Sequence, residues 1–365
     1  MAAAGVVAGA LALQPAPAQA CGWDYETYHA EAKSMPCVFD ALLGYWPEHT
    51  NAYHERRIEA FDIGLAWMPD WTDGLDAKGI SLLKLGRLPA AEAVMKHRYE
   101  VAPQAYASHA NLGTLYTFTG AYDDAIVHID KAMAIEPEAH FGREQYHRDL
   151  VDYLRRGKAD PKVFETETFV GITPTPNQRV GGSKALYARL GLKDDAVDAL
   201  VAMLTVYGAD ELAEVYFALG ELLAVRGHKR LAYTAYRRAE ELGHPRKGTA
   251  KRAMEDLHEA LRKEFYKGSP TGGVRRHGPM AEDIYRGIGR KYGNERNGAK
   301  QLQKAYATWE QAQLRKGLPV WTQAGLDEIY AHMHAQRRRC QAPRIIDDPL
   351  APMAADAPPS EEGDQ

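Results

Sequence analysis

Three prolines divide the first third of this chain at a fixed interval: Pro69, Pro103 and Pro137 (103 − 69 = 34; 137 − 103 = 34). Each follows a run of helix-forming composition, the first spanning 55–68 and the second 90–102. Proline has no N–H to donate and clashes with the preceding turn, so it ends a helix. A fixed period of this length describes stacked supersecondary units, each contacting only its neighbours. A single helical hairpin cannot bury its own apolar stripe, so the period predicts a solenoid.

The clearest unit runs from Ala107 to Pro137. Leu112, Leu115, Tyr116 and Thr119 fall at helical intervals and give one apolar stripe. Gly120 ends that helix, since glycine adopts the left-handed conformation without a side-chain clash. Ala125, Ile129, Ala132 and Met133 form the stripe of a second helix. Gly113, Ala125 and Ala132 are small and allow the pair to approach closely.

This unit resembles a tetratricopeptide repeat (TPR). Leu112, Gly113 and Tyr116 fill the family's first block, and Ala125, Ile129, Ala132 and Pro137 the second. His109 stands where the family has tryptophan. Upstream, Gly79, Leu82, Gly86, Ala91 and Met95 sit at matching positions. The first unit keeps only its second half and reads as a degenerate cap. Downstream, Leu219, Gly220, Leu223, Gly227, Ala232, Tyr236 and Ala239 fit again, with Pro245 one position late. The resemblance covers about 38–139 and 184–246. It implies an all-α fold, a TPR-like helix–turn–helix solenoid in two arrays joined by an extended insertion. It also implies a protein-interaction scaffold, not an enzyme, with a protein or peptide partner and no cofactor. By the family's geometry the groove is lined by Asp76, Ile80, Leu83 and Lys84 in one repeat. Ala110, Thr114, Thr117 and Phe118 line it in the next, with Phe118 as an aromatic anchor beside two small threonines. Asn111 occupies one position of the family's carboxylate-gripping variant, but Asp73 and Asp76 replace its cationic neighbours.

Residues 1–20 read as a signal peptide. The apolar run Gly5–Leu13 is too short to span a membrane, and Ala18-Gln19-Ala20 forms a cleavage signal. The expected mature chain begins at Cys21 in a periplasmic or secreted setting. The competing reading lipidates Cys21 and brings the chain to a membrane. In an oxidising compartment Cys21 and Cys37 can close a short disulfide loop; free thiols are the alternative, and Cys340 is left over. The expected divisions are an N-terminal array with a closing helix over 21–157, the insertion over 158–182, and a second array over 183–267. C-terminal helices follow over 268–340. Residues 341–365 hold five prolines and six acids against one arginine, the composition of a disordered tail. The formal net charge of −4 gives no global argument for nucleic acid or an anionic membrane.

Motifs for common chemistries are missing or malformed. No H-E-x-x-H, C-x-x-C or C-x-x-C-H occurs. Gly243–Thr249 lacks the lysine of a phosphate loop, and Gly287–Gly293 has the wrong glycine spacing for a dinucleotide. The remaining enzyme or metal alternative is Glu328 and His332, four apart on one helix face, which need ligands from elsewhere. Segment 226–267 carries 12 basic against 6 acidic residues, which reads as a solvated face or a site for an anionic partner.

Overall fold

The computed structural model describes Asp24 and residues 37–137, 143–205, 208–267, 279–320 and 322–335. Among them are sixteen helices and no strand. In chain order they begin with α1 (Val38–Leu43), α2 (Asn51–Trp67), α3 (Thr72–Lys84), α4 (Leu88–Val101), α5 (Tyr106–Thr119), α6 (Tyr122–Ile135) and α7 (Glu144–Ala159). Two short helices follow, α8 (Lys162–Thr166) and α9 (Pro176–Val180). Next come α10 (Lys184–Arg189), α11 (Ala196–Thr205), α12 (Ala213–Arg226), α13 (Lys229–Glu241) and α14 (Lys247–Lys267). The chain continues as α15 (Pro279–Arg315) and α16 (Gln323–Ala335).

Successive helices from α2 to α7 pack pairwise, as do α11 to α14, and α3 also touches α5. The small residues explain how closely the pairs cross. A Cβ added to Gly113 would meet Ile129 Cγ1 at 2.7 Å, and one on Gly220 would meet Tyr236 Cδ1 at 2.7 Å. Gly120, at φ 73°, turns α5 into α6 as its position predicts. Helix α6 ends at Ile135, two residues before Pro137.

The insertion over 158–182 is not extended throughout. Pro161 and Pro176 start helices α8 and α9 instead of excluding them, because the first turn of a helix has no use for the proline N–H. Thr175 and Gln178 form a reciprocal capping box on α9. Helix α9 then packs on α12 and α14, so the stretch joins the packing of the helices that follow it.

Helices distant in sequence meet at one seam. Helix α1 packs on α11, α13 and α15, and α15 packs on α2. A ladder of polar contacts fixes this seam. Tyr45 donates to Glu295 at 2.9 Å, and Arg296 donates to the Leu43 carbonyl at 2.6 Å. Gln303 exchanges two bonds with the Glu48 backbone, at 2.8 and 2.9 Å. The buried Glu310 carboxylate accepts from the Thr50 N–H at 2.8 Å and Tyr306 at 2.8 Å, and pairs with His49 at 2.6 Å. Around it, Tyr53, Tyr306, Leu326, Ile329 and Met333 form a separate apolar cluster joining α2, α15 and α16.

Cys37, just before α1, is disulfide-bonded. Cys21 and Cys340 lie outside the described residues, as do the expected signal peptide and acidic tail. No described helix is long and apolar enough to cross a membrane. Of the basic residues in 226–267, Arg226, Arg238 and Arg246 are buried, so the local excess is not one solvated face.

Candidate functional site: the face of the first helices

Helices α3 and α5 bring the eight expected groove positions onto one packed layer. Asp76, Ile80, Leu83, Ala110, Thr114 and Thr117 are all buried, and Lys84 and Phe118 are half-buried. Phe118 packs on the cluster that contains Ile80, Leu83 and Leu115. The predicted lining is therefore assembled, but most of its surface is already covered. Thr114 and Thr117 do not leave the Phe118 ring open, as their small size suggested.

A buried polar network runs along this layer. Both terminal nitrogens of Arg57, on α2, lie 3.0 Å from Oδ2 of Asp24. Each of these two residues is only 3% exposed. Arg57 stands at the i+4 position between Tyr53 and Phe61, with its guanidinium 5.7 and 5.6 Å from their ring centres. A cation inside an apolar stripe is the signal that identifies it in the sequence. On α3, Asp76 accepts from Arg98 Nε at 3.0 Å and from Asn111 Nδ2 at 2.8 Å. Arg98 also donates to Ser108 at 2.9 Å. Asn111, the one donor kept from a carboxylate clamp, is thus engaged by the chain's own carboxylate. Further along, Tyr106 donates to Glu144 at 2.8 Å, and Glu144 and Thr117 flank His147, each at 3.4 Å. Arg98, Ser108, Glu144 and His147 carry no sequence spacing that marks them as a set.

Burial pushes the Asp76 carboxyl up to about 6, although Arg98 and Asn111 act against that shift. A carboxyl whose native pKa exceeds its unfolded value binds more protons in the native state, so its contribution falls as pH rises from about 4 to about 6. Asp76→Asn removes this linkage. The variant's stability relative to the native protein should therefore improve by up to about 3 kcal/mol between pH 4 and pH 7. Urea unfolding of both proteins at the two pH values measures it; a difference independent of pH would refute it.

A cavity of about 160 Å³ lies at the seam, lined in part by Glu48, Asp210, Tyr216, Arg238, Arg296 and Lys300. Burial, with Glu48 beside it, pushes the Asp210 carboxyl up to about 7. The remaining sequence candidates do not converge on chemistry. Glu328 is exposed, and His332 stacks on Trp309 at 3.9 Å between ring centres. Among the described residues no group of three or more His, Cys, Asp or Glu side chains is placed to hold a metal.

No known protein-family model and no curated protein matches this chain.

Proposed function

We propose that this chain is an exported scaffold of the tetratricopeptide type, acting in protein–protein interaction through the layer of its first helices. The 34-residue period, the glycines at the helix crossings and the pairwise stacking support that reading. The observation that carries it is the Asp24–Arg57 pair. A carboxylate 33 residues before Arg57 in sequence is held, fully desolvated, by an arginine set in the apolar stripe of α2. Planar guanidinium is suited to that role, and the same contact suits a carboxylate from another chain. The partner is accordingly a peptide segment bearing Asp or Glu.

A disulfide at Cys37 supports an oxidising compartment, and with it export. Cys21 is the partner that the sequence reading expects; a bond there would compete with lipid attachment to the same thiol. The alternatives of a hydrolase or metal protein at Glu328 and His332, and of a lipoprotein assembly factor, have no contact in the described residues that favours them.

The test is an array of acidic and neutral peptides probed with three full-length proteins. Asp24→Ala removes the carboxylate that Arg57 holds and should bind carboxylate-bearing peptides at least about tenfold more tightly than the native chain. Asp24→Ala/Arg57→Met should lose that gain. Equal capture by all three proteins would remove the reading.

A further inference from the structure

Repeat positions can be compared within this chain. His109 on α5 and His128 on α6 correspond to Leu75 and Val94 one unit earlier (109 − 75 = 34; 128 − 94 = 34). The helical crossing is thus made with an aliphatic pair in one unit and with two imidazoles in the next. Packing alone does not call for histidine there.

The two imidazoles are aimed at each other. Their Nδ1 atoms lie 3.0 Å apart, with ring centres at 5.2 Å and ring planes at 37°. Nε2 of His109 is 3.0 Å from the Pro103 carbonyl oxygen. That oxygen can only accept, so His109 carries its proton on Nε2 and presents a bare Nδ1 lone pair. A backbone carbonyl fixing the distal N–H is the outer support that metal-binding histidines use to set tautomer and ring orientation.

We propose that His109 and His128 form a binding site for a divalent late transition-metal ion, with Nδ1 of each ring as ligand. A metal–imidazole bond is about 2.0–2.1 Å, so one ion can bridge two ring nitrogens that stand 3.0 Å apart. Imidazole donors suit copper(II), nickel(II) and zinc alike, and copper(II) is the ion whose spectrum reports its nitrogen ligands. Binding moves the His128 proton from Nδ1 to Nε2, which keeps the ring a neutral ligand, and breaks the N–H···N bond between the rings. His128 is half-buried, and no third protein ligand is grouped with the pair among the described residues, so water completes the coordination.

The Tyr99 and Tyr116 rings close the sides of the pair, at 5.4 to 5.8 Å between ring centres.

The experiment is titration of the full chain with copper(II), followed by calorimetry and electron paramagnetic resonance. The native chain should take one tight ion per chain, with splitting from two imidazole nitrogens. His109→Leu/His128→Val installs the residues of the preceding unit and should keep the helical spectrum. It should weaken that site at least about tenfold and remove the two-nitrogen signature. The chain's other histidines provide weak background sites, which the variant measures. Should the double variant fail to fold, His128→Val alone, on the half-buried side, should show the same tenfold loss. Equal copper affinity in native and variant proteins, or a native spectrum without paired imidazoles, would overturn the assignment.

Discussion

Glu221→Ala should remove about 3–5 kcal/mol of folding stability, read as a lower urea midpoint at unchanged slope. Glu221 is fully buried on α12 and takes two bonds from Arg179 of α9, at 2.8 and 2.7 Å. Removing it leaves that guanidinium without its carboxylate in a dry site. The loss is compounded by Arg246, whose charge acts on the same carboxylate and is repelled by Arg179. Arg179→Met/Glu221→Leu should recover much of the loss, because no charge of the pair remains to be desolvated. An exposed pair such as Arg56–Glu59 sets the contrast. Breaking it should change stability by less than about 1 kcal/mol. A small effect at Glu221 would mean that α9 does not anchor to α12 in solution.

Gly182→Ala should have an effect at least as large, about 3 kcal/mol or more, or prevent folding. Gly182 lies where the insertion meets the C-terminal end of α12. A Cβ there would fall within the contact radius of the Ala224 carbonyl oxygen and 2.8 Å from the Gly227 nitrogen. Both obstacles are backbone, so no rotamer change relieves them. The next residue, Ser183, donates its N–H to the Val225 carbonyl at 2.9 Å, which fixes the approach. Gly191→Ala is the control, since its φ of 71° costs about 1–2 kcal/mol but nothing stands within 4 Å of the added carbon. Thermal unfolding of the two variants separates steric overlap from backbone strain.

The local architecture was legible because its causes are local. Pro69, Pro103 and Pro137 each lie one or two residues beyond α2, α4 and α6, and Gly120 and Gly227 are the left-handed caps their positions suggest. Composition and structure part in the insertion for a definable reason. Its prolines and β-branched residues favour extended chain by composition, while Thr175-Pro176-Asn177-Gln178 is a capping box with proline in the first turn. That signal was present and outweighed by composition.

The candidate site was legible only as a face. Helical spacing placed Asp76, Ile80, Ala110 and Thr114 together, but spacing on one helix says nothing about what covers it. The partners that close the layer are distant in sequence: Asp24 for Arg57, Glu144 for Tyr106. The seam is the extreme case, joining His49 to Glu310 across 261 positions. No periodic pattern encodes a contact between two particular helices so far apart. The histidine pair was half visible, since His109 stood out at a tryptophan position while His128 had no reason to be noticed.

The meeting of α15 with α1 and α2 changes how such an array comes apart. An open stack of helical hairpins behaves as a one-dimensional chain of neighbours, and its terminal units fray first. Here α1 and α2 are backed by α15, so α2 is not a free outer layer of the stack. Closing a loop of this length costs only slightly more entropy than closing one half as long, because the cost grows with the logarithm of length. The contacts it secures are nonetheless the most non-local in the molecule, and such contacts form late when folding proceeds by local hairpins. Closure is thus the step that converts a string of separately wavering units into one body that opens as a whole.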